Sequence, residues 1–423
     1  MTVRRTFLLY CPATDQNITD VLGRANYSYY FVLKRFTPLL AELGDVRPLP
    51  ELGQLDAAVA EVRSAGGEPV LMLFAPPHET VLDPPCPVVP VFAWEFDTIP
   101  DEEFGGDSRS NWAQVLSGAG MAITHSEFAV ASVRRSLGED FPIWSLPAPS
   151  WDGFAAIEGA DWTGDPVTLT LDGTVLDSWE LGLREDPASF DQPEFTSGQR
   201  TLEVSGVVFS SVFNPHDKRK NWYDLLTGFV WAFRDNPDAT LVLKLVHVDR
   251  DESCWMILKE MLKLAPYQCR VVAVHGYLEQ PAFHDLVRAT TYTVNASAGE
   301  GQCLPLMEFM SAGKPAIAPN HTAMADYVTP ANSFIVSGTR EPSAWPQDPR
   351  QVFRCMRYRI NWGTVRDAYL AAFAVATDDP DRYRAMSADA RSSLQAHCSH
   401  DVIVAGLEAA LAHVPTVTAS GVN

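Results

Sequence analysis

The chain has 423 residues, 46% of them hydrophobic and 20% charged, a composition that excludes a low-complexity or fibrous protein. That length exceeds one ordinary core and implies two or three domains of about 150 residues each. With 53 acidic against 32 basic residues and a formal charge of −21, nonspecific nucleic-acid binding is excluded, because phosphate backbones demand clustered Lys and Arg.

From the amino terminus, strand and helix signals alternate. Residues 7–12 form an apolar run that reads as a buried strand and is too short for a signal peptide. A polar loop over 13–26 leads into a helix on which Val32, Phe36, Leu39 or Leu40, and Leu43 recur at helical spacing before Gly44. Pro38 is expected to bend or break that helix. Helices are expected over 55–64 and 127–137, the second capped by Ser126, and strands over 70–74, 88–93, 121–124 and 143–146. Such alternation predicts a doubly wound parallel sheet.

Between 150 and 200 these signals weaken. Asp172-Gly173 within an alternating run reads as a hairpin turn, so a β insertion near 165–180 is expected inside an amino-terminal domain of 1–195, followed by a linker. A second αβ series then begins. Strands are expected over 207–213, 241–248, 270–274, 291–295, 316–318 and 333–336, and helices over 221–233, 253–264 and 280–289. A further helix opens at Pro305 and ends at Gly313. This predicts a second domain over 200–385, with a helical, Ala-rich tail that includes 386–423.

Two stretches carry chemistry. In the first, Asn295 to Asn320, Gly299 and Gly301 break a strand and a helix follows, so free backbone N–H groups and the helix dipole face whatever lies at the strand's carboxyl end. Glu300 in the loop and Glu308 in the helix frame that place, with seven residues between them. In the second, Lys218-Arg219-Lys220 stands between another strand and helix. Lys244 interrupts the apolar run LVLKLVHV, where an unpaired ammonium is costly, so it points to an edge or helps a diphosphate.

The Glu-x7-Glu spacing, the small residues ending that helix and the Lys-Pro-Ala-Ile-Ala strand after it resemble the donor site of retaining glycosyltransferases of family four. That resemblance implies the GT-B fold, an α/β architecture of two Rossmann-like doubly wound domains facing a cleft, with the tail crossing back onto the first domain. It implies a nucleotide-diphosphate sugar as donor substrate, and Lys220, Glu300 and Arg219 as catalytic residues. Family members carry a Lys followed by Gly or Asn, with an Arg about five residues earlier. Lys220-Asn221 fits, but Pro215 occupies the earlier position, leaving Arg219 or Lys218 to replace that Arg.

By the same resemblance Glu300 contacts the sugar and Glu308 the ribose, while Gly301, Gln302, Cys303 and Leu304 lie along the donor. Gln302 and Cys303 stand where Phe and Gly are common. His275, Gly276 and Tyr277 bracket the base, and Lys244 joins the donor set. Trp94, Glu95, Gly23 and Arg24 are expected on the acceptor side, Glu95 standing near a point where the family often has His. The acceptor is a glycan, a lipid-linked molecule or a small molecule.

No metal motif is present in the sequence pattern, and no cofactor is expected. Seven scattered cysteines without a CxxC pair imply a reducing cytosol. No apolar run reaches about 18 residues, so the expectation is a cytoplasmic protein, soluble or peripheral at the inner face of the membrane. A sugar-nucleotide epimerase and a noncatalytic sugar-nucleotide-binding or scaffold subunit of a glycan-assembly complex are the alternatives.

Overall fold

The apolar runs assemble into two sheets in the computed structural model, which describes residues 4–185, 193–346 and 348–414. The first sheet is built from β1 (Arg5–Tyr10), β2 (Asp45–Pro48), β3 (Glu68–Phe74), β4 (Val88–Phe92), β5 (Ala122–Thr124) and β6 (Ile143–Ser145). Its order is β2-β1-β3-β4-β5-β6, and every neighbouring pair is parallel. The intervening helices are α1 (Tyr27–Leu43), α2 (Leu55–Ser64), α3 (Trp112–Ala119) and α4 (Glu127–Leu137). Helices on both faces explain why β3 and β4 read as continuous apolar runs, since both sides of each strand are buried.

After α5 (Trp151–Ala155) the chain builds the second sheet from β7 (Val167–Asp177), β8 (Gly198–Val204), β9 (Val207–Phe213), β10 (Ala239–Leu245), β11 (Arg270–His275), β12 (Tyr292–Val294), β13 (Ala316–Ala318) and β14 (Ser333–Ile335). Helices α6 (Trp222–Phe233), α7 (Arg250–Leu264), α8 (Gln280–Ala289) and α9 (Leu304–Ser311) connect the parallel strands. The order is β14-β13-β12-β9-β10-β11-β7-β8, parallel through β11 and antiparallel beyond it. Two doubly wound domains thus face one another across a cleft.

Three expectations fail for identifiable reasons. Pro38 does not break helix α1; it is exposed, so the hydrogen bond it cannot donate leaves a solvent-side carbonyl for water to satisfy. Asp172-Gly173 is not a turn but the middle of β7. A Cβ on Gly173 would meet the His275 carbonyl oxygen at 2.3 Å, so glycine there permits a close strand approach. The segment expected as an insertion in the first domain pairs instead with β11 and belongs to the second sheet.

Two pieces of chain return to the first domain. The hairpin of β15 (Gly338–Ala344) and β16 (Arg354–Ile360) lays Trp345 and Phe353 into the first core. Asp97 holds it there, accepting from Met356 N at 2.8 Å and pairing with Arg340. Of the final helices, α10 (Trp362–Asp378) and α11 (Pro380–Cys398) pack on the second domain, while α12 (His400–Leu411) buries Ile403, Leu407 and Ala410 in the first core beside α1 and β6.

Candidate functional site

Strand order in the second sheet reverses between β9 and β12, whose connections leave in opposite directions. Loops at such a switch point diverge and open a crevice beyond the strands' carboxyl ends. The loop after β9 carries Arg219 and Lys220 on a short 3-10 turn capped by Asp217, whose Oδ1 accepts from Arg219 N at 3.0 Å. The loop after β12 carries Glu300. Local sequence sets each group at a strand end, and the pairing of β9 with β12 places both cations and the carboxylate on the two sides of one crevice.

Their side chains meet there. Lys220 Nζ lies 2.7 Å from Glu300 Oε1, and Arg219 Nη1 lies 2.9 Å from Glu300 Oε2. Ser297 Oγ also donates to Oε1 at 2.6 Å, and Asn295 Nδ2 donates to the same oxygen at 3.3 Å. Glu300 is only 3% exposed. Burial by itself raises a carboxyl, but Lys220 and Arg219 outweigh it and hold Glu300 well below the usual carboxylate range. Arg219 also pairs with Glu95 Oε1 at 3.2 Å and Asp217 Oδ2 at 3.0 Å. Burial disfavours its charge, yet Glu95, Glu300 and Asp217 prevail and hold the guanidinium protonated.

Left-handed backbone clusters at the same place. Asn221 (φ 48°), Cys303 (φ 62°) and Thr322 (φ 52°) are non-glycine residues at positive φ, one in each loop around the crevice. Each is maintained against a cost of about 1–2 kcal/mol, a pattern concentrated at functional sites. Thr322 has a visible task, since its Oγ1 accepts from Glu300 N at 3.0 Å. Cys303 begins α9 and takes a hydrogen bond on Sγ from Asn295 Nδ2 at 3.2 Å; burial pushes its thiol up to about 12.

The first domain forms the opposing wall. A Cβ on Gly301 would lie 2.8 Å from Ala93 Cβ, so the loop after β12 is pressed against the end of β4. Gln302 turns across the cleft, where its Oε1 accepts from Ala148 N at 3.1 Å, and Leu304 joins the first-domain core. Glu308, one turn into α9, is paired with Arg35 of α1. Gly23 touches the second domain through its carbonyl, which accepts from Asn214 Nδ2 at 2.8 Å, whereas Arg24 is exposed.

Other sequence-derived candidates lie apart from the carboxylate. Lys244 is buried on β10 and donates to the Gly276 carbonyl, with no carboxylate partner among the described residues; burial lowers its ammonium to about 7. His275 engages the His247 carbonyl through Nε2 at 2.7 Å, and Tyr277 packs on the first core. Trp94 corrects the acceptor-side expectation. Its indole is a core group, buried among Phe96, Trp112 and Trp345 with Nε1 donating to Thr98 O at 2.8 Å, so that its neighbour Glu95 alone reaches the crevice. Arg35, Ser297 and Thr322 were not legible as site residues; only their folded positions single them out.

Among the described residues no group of three or more His, Cys, Asp and Glu is placed to hold a metal ion, and no helix is long and apolar enough to cross a membrane.

Two doubly wound domains with their strand ends across one cleft are the GT-B arrangement. No family model matches the chain and no curated protein matches it. Solved structures do. A glycosyltransferase from Rickettsia africae ESF-5 aligns over 97% of this chain and 98% of its own, with a TM-score of 0.57 and 10% identity. Anabaena HepE in complex with UDP-glucose aligns over 97% of this chain and 99% of its own, with a TM-score of 0.55 and 12% identity. TarM from S. aureus aligns over 81% of this chain, which spans 55% of TarM, with a TM-score of 0.50 and 11% identity. At such identities the likeness is one of fold.

Proposed function

We propose that the chain is a retaining glycosyltransferase, resembling family four, that moves a sugar from a nucleotide-diphosphate sugar to an acceptor hydroxyl in glycan or glycoconjugate biosynthesis. The observation that carries this reading is the buried Glu300 carboxylate held by Lys220 and Arg219 at the switch point of the second sheet. In this reading the acceptor oxygen bonds to the anomeric carbon as the bond from that carbon to the phosphate oxygen breaks. The hydroxyl proton passes to the departing phosphate oxygen. Lys220 and Arg219 stabilise the charge that grows on the diphosphate, a preorganised electrostatic contribution. Glu300 holds the transferred sugar so that its anomeric carbon faces the acceptor.

The transfer is hexosyl, needs no cofactor or divalent metal, and takes place in the cytoplasm or at the inner membrane face. The acceptor enters along the first domain near Glu95, with Gly23 and Arg24 at the rim. In this reading His275, Gly276 and Tyr277 bracket the base, while Lys244 and the backbone of Gly301 to Leu304 lie along the diphosphate. UDP-sugars are the first donors to test, because UDP-glucose is the molecule bound in the HepE structure.

A noncatalytic sugar-nucleotide-binding or scaffold subunit is the second reading, and a different observation bears on it. Glu300 is already satisfied by protein groups, and Gly301 abuts Ala93, so a donor must displace contacts to enter. Calorimetry with UDP-, GDP-, ADP- and CMP-sugars, followed by NMR of the product anomer, separates the two. Binding with retained configuration in the product supports the enzyme; binding of the nucleotide sugar without turnover across acceptor classes supports the subunit.

A further inference from the structure

Among the described residues Glu308 has one cationic partner, and it comes from the other domain. Arg35, in the middle of α1, places Nη2 on Glu308 Oε1 across the cleft. Its guanidinium does not depend on Glu308 alone for its position, because Nη1 donates to Ser150 Oγ at 2.8 Å and Cζ lies over the Phe154 ring, 5.5 Å from its centroid. Both groups are largely withdrawn from solvent, with side-chain exposures of 19% for Arg35 and 9% for Glu308.

We propose that Arg35 is a positioning residue of the donor site, holding the Glu308 carboxylate ionised and turned so that its second oxygen meets the nucleoside hydroxyls. The role rests on the donor-site reading above and extends it to the first domain. Oε1 is taken by Arg35, and the remaining oxygen is the one left to accept from a vicinal diol. A diol binds an ionised carboxylate more strongly than a neutral acid, which has lost part of its acceptor capacity.

The surroundings make Arg35 the deciding charge. Burial holds the Glu308 carboxyl above its usual range, and the Arg35 charge and hydrogen bond are what limit that rise. Tyr27 on α1 faces Glu308, and Tyr277 after β11 faces Tyr27; burial raises both phenols, so they stay neutral near pH 7. Asp152 on α5 accepts from His400 N at 2.7 Å, and burial raises the Cys398 thiol at the end of α11 to about 11. Lys34, beyond Tyr30 on α1, is paired with Asp15 at 2.7 Å. None of these replaces Arg35.

The test is calorimetry of UDP, GDP and ADP with the full chain, and then of the tightest of the three with Arg35→Met, Arg35→Lys and Glu308→Gln, from pH 5.5 to 9. Each variant is expressed relative to wild type at the same pH, which cancels the titration of the nucleotide phosphate. Arg35→Met should bind about tenfold more weakly at pH 6, with the deficit closing as pH rises and Glu308 ionises without its partner. Arg35→Lys should restore most of the affinity, and Glu308→Gln should show a deficit independent of pH. If Arg35→Met matches wild type, or is weaker by one constant factor at every pH, Arg35 has no such role although the donor site stands. If wild type binds none of UDP, GDP and ADP, the donor reading itself falls and takes the role of Arg35 with it.

Discussion

Glu95 and Glu300 come from different domains and share one guanidinium: Arg219 reaches Glu95 through Nε at 3.2 Å and Glu300 through Nη1 at 2.9 Å. The cation therefore joins the two walls of the cleft as well as the two loops of the switch point. Lys220 is a second cation for Glu300, but Glu95 has none other than Arg219 among the described ion pairs.

Arg219→Met should consequently lower stability by about 3–5 kcal/mol, the usual cost of leaving a buried charge without its partner. Much of the loss should be recovered in the double variant with Glu95→Gln, which removes the stranded carboxylate. Urea unfolding of the four proteins measures both effects. A single-variant loss below about 1 kcal/mol would mean that water already screens this pair.

Under the proposed function, Lys220, Glu300 and Glu308 separate by the stage at which they act. Lys220→Ala should lower turnover more than donor affinity, because charge on the diphosphate grows only as the glycosidic bond breaks. Glu308→Ala should weaken donor binding by about 1–3 kcal/mol, roughly five- to 150-fold, with less effect on turnover. Glu300→Ala should weaken the intact sugar nucleotide more than the free nucleotide diphosphate. Equal donor binding by all three variants and wild type would reject the assignment.

Under the proposed function activity should survive excess chelator, because Lys220 and Arg219 would supply the positive charge that a metal ion otherwise brings to the diphosphate. Loss of turnover that returns on adding magnesium or manganese would overturn it.

Cys303 occupies left-handed backbone at the start of α9, where a side chain is a burden and glycine is not. Cys303→Gly should be more stable than Cys303→Ala by about 1 kcal/mol, since both lose the thiol and only glycine relieves the backbone. Chemical unfolding of the two variants decides it; an alanine variant of equal or greater stability contradicts the strain.

A pH effect follows from Lys244, whose ammonium burial lowers from 10.5 to about 7. Between those two values the unfolded chain holds a proton that the folded chain does not, so this residue's contribution to stability improves as pH rises through that window. Lys244→Met should be more stable than wild type at pH 7, and its advantage should shrink steadily towards pH 10. An advantage that stays constant or grows with pH contradicts the sign.

Local signals made part of this molecule readable from its residues alone. Apolar runs such as Val207–Phe213 need only β propensity and burial, and α2, α4 and α8 carry their own helical periodicity, so the doubly wound fold class was legible. Glu300 and Glu308 share one loop and helix, and Lys218 to Lys220 share one turn, so their presence at strand ends was legible too. What brings those two sets together is the adjacency of β9 and β12, a relation between residues about 80 positions apart that no local pattern encodes. The same holds for Arg35 and Glu308, 273 positions apart, and for Trp94, whose conversion from cleft residue to core depends on Trp112 and on Trp345 from a hairpin in the other half of the chain. Gly173 shows the limit most directly. Its backbone freedom was visible in the sequence, but whether that freedom serves a turn or a close approach was decided only by the His275 carbonyl beside it.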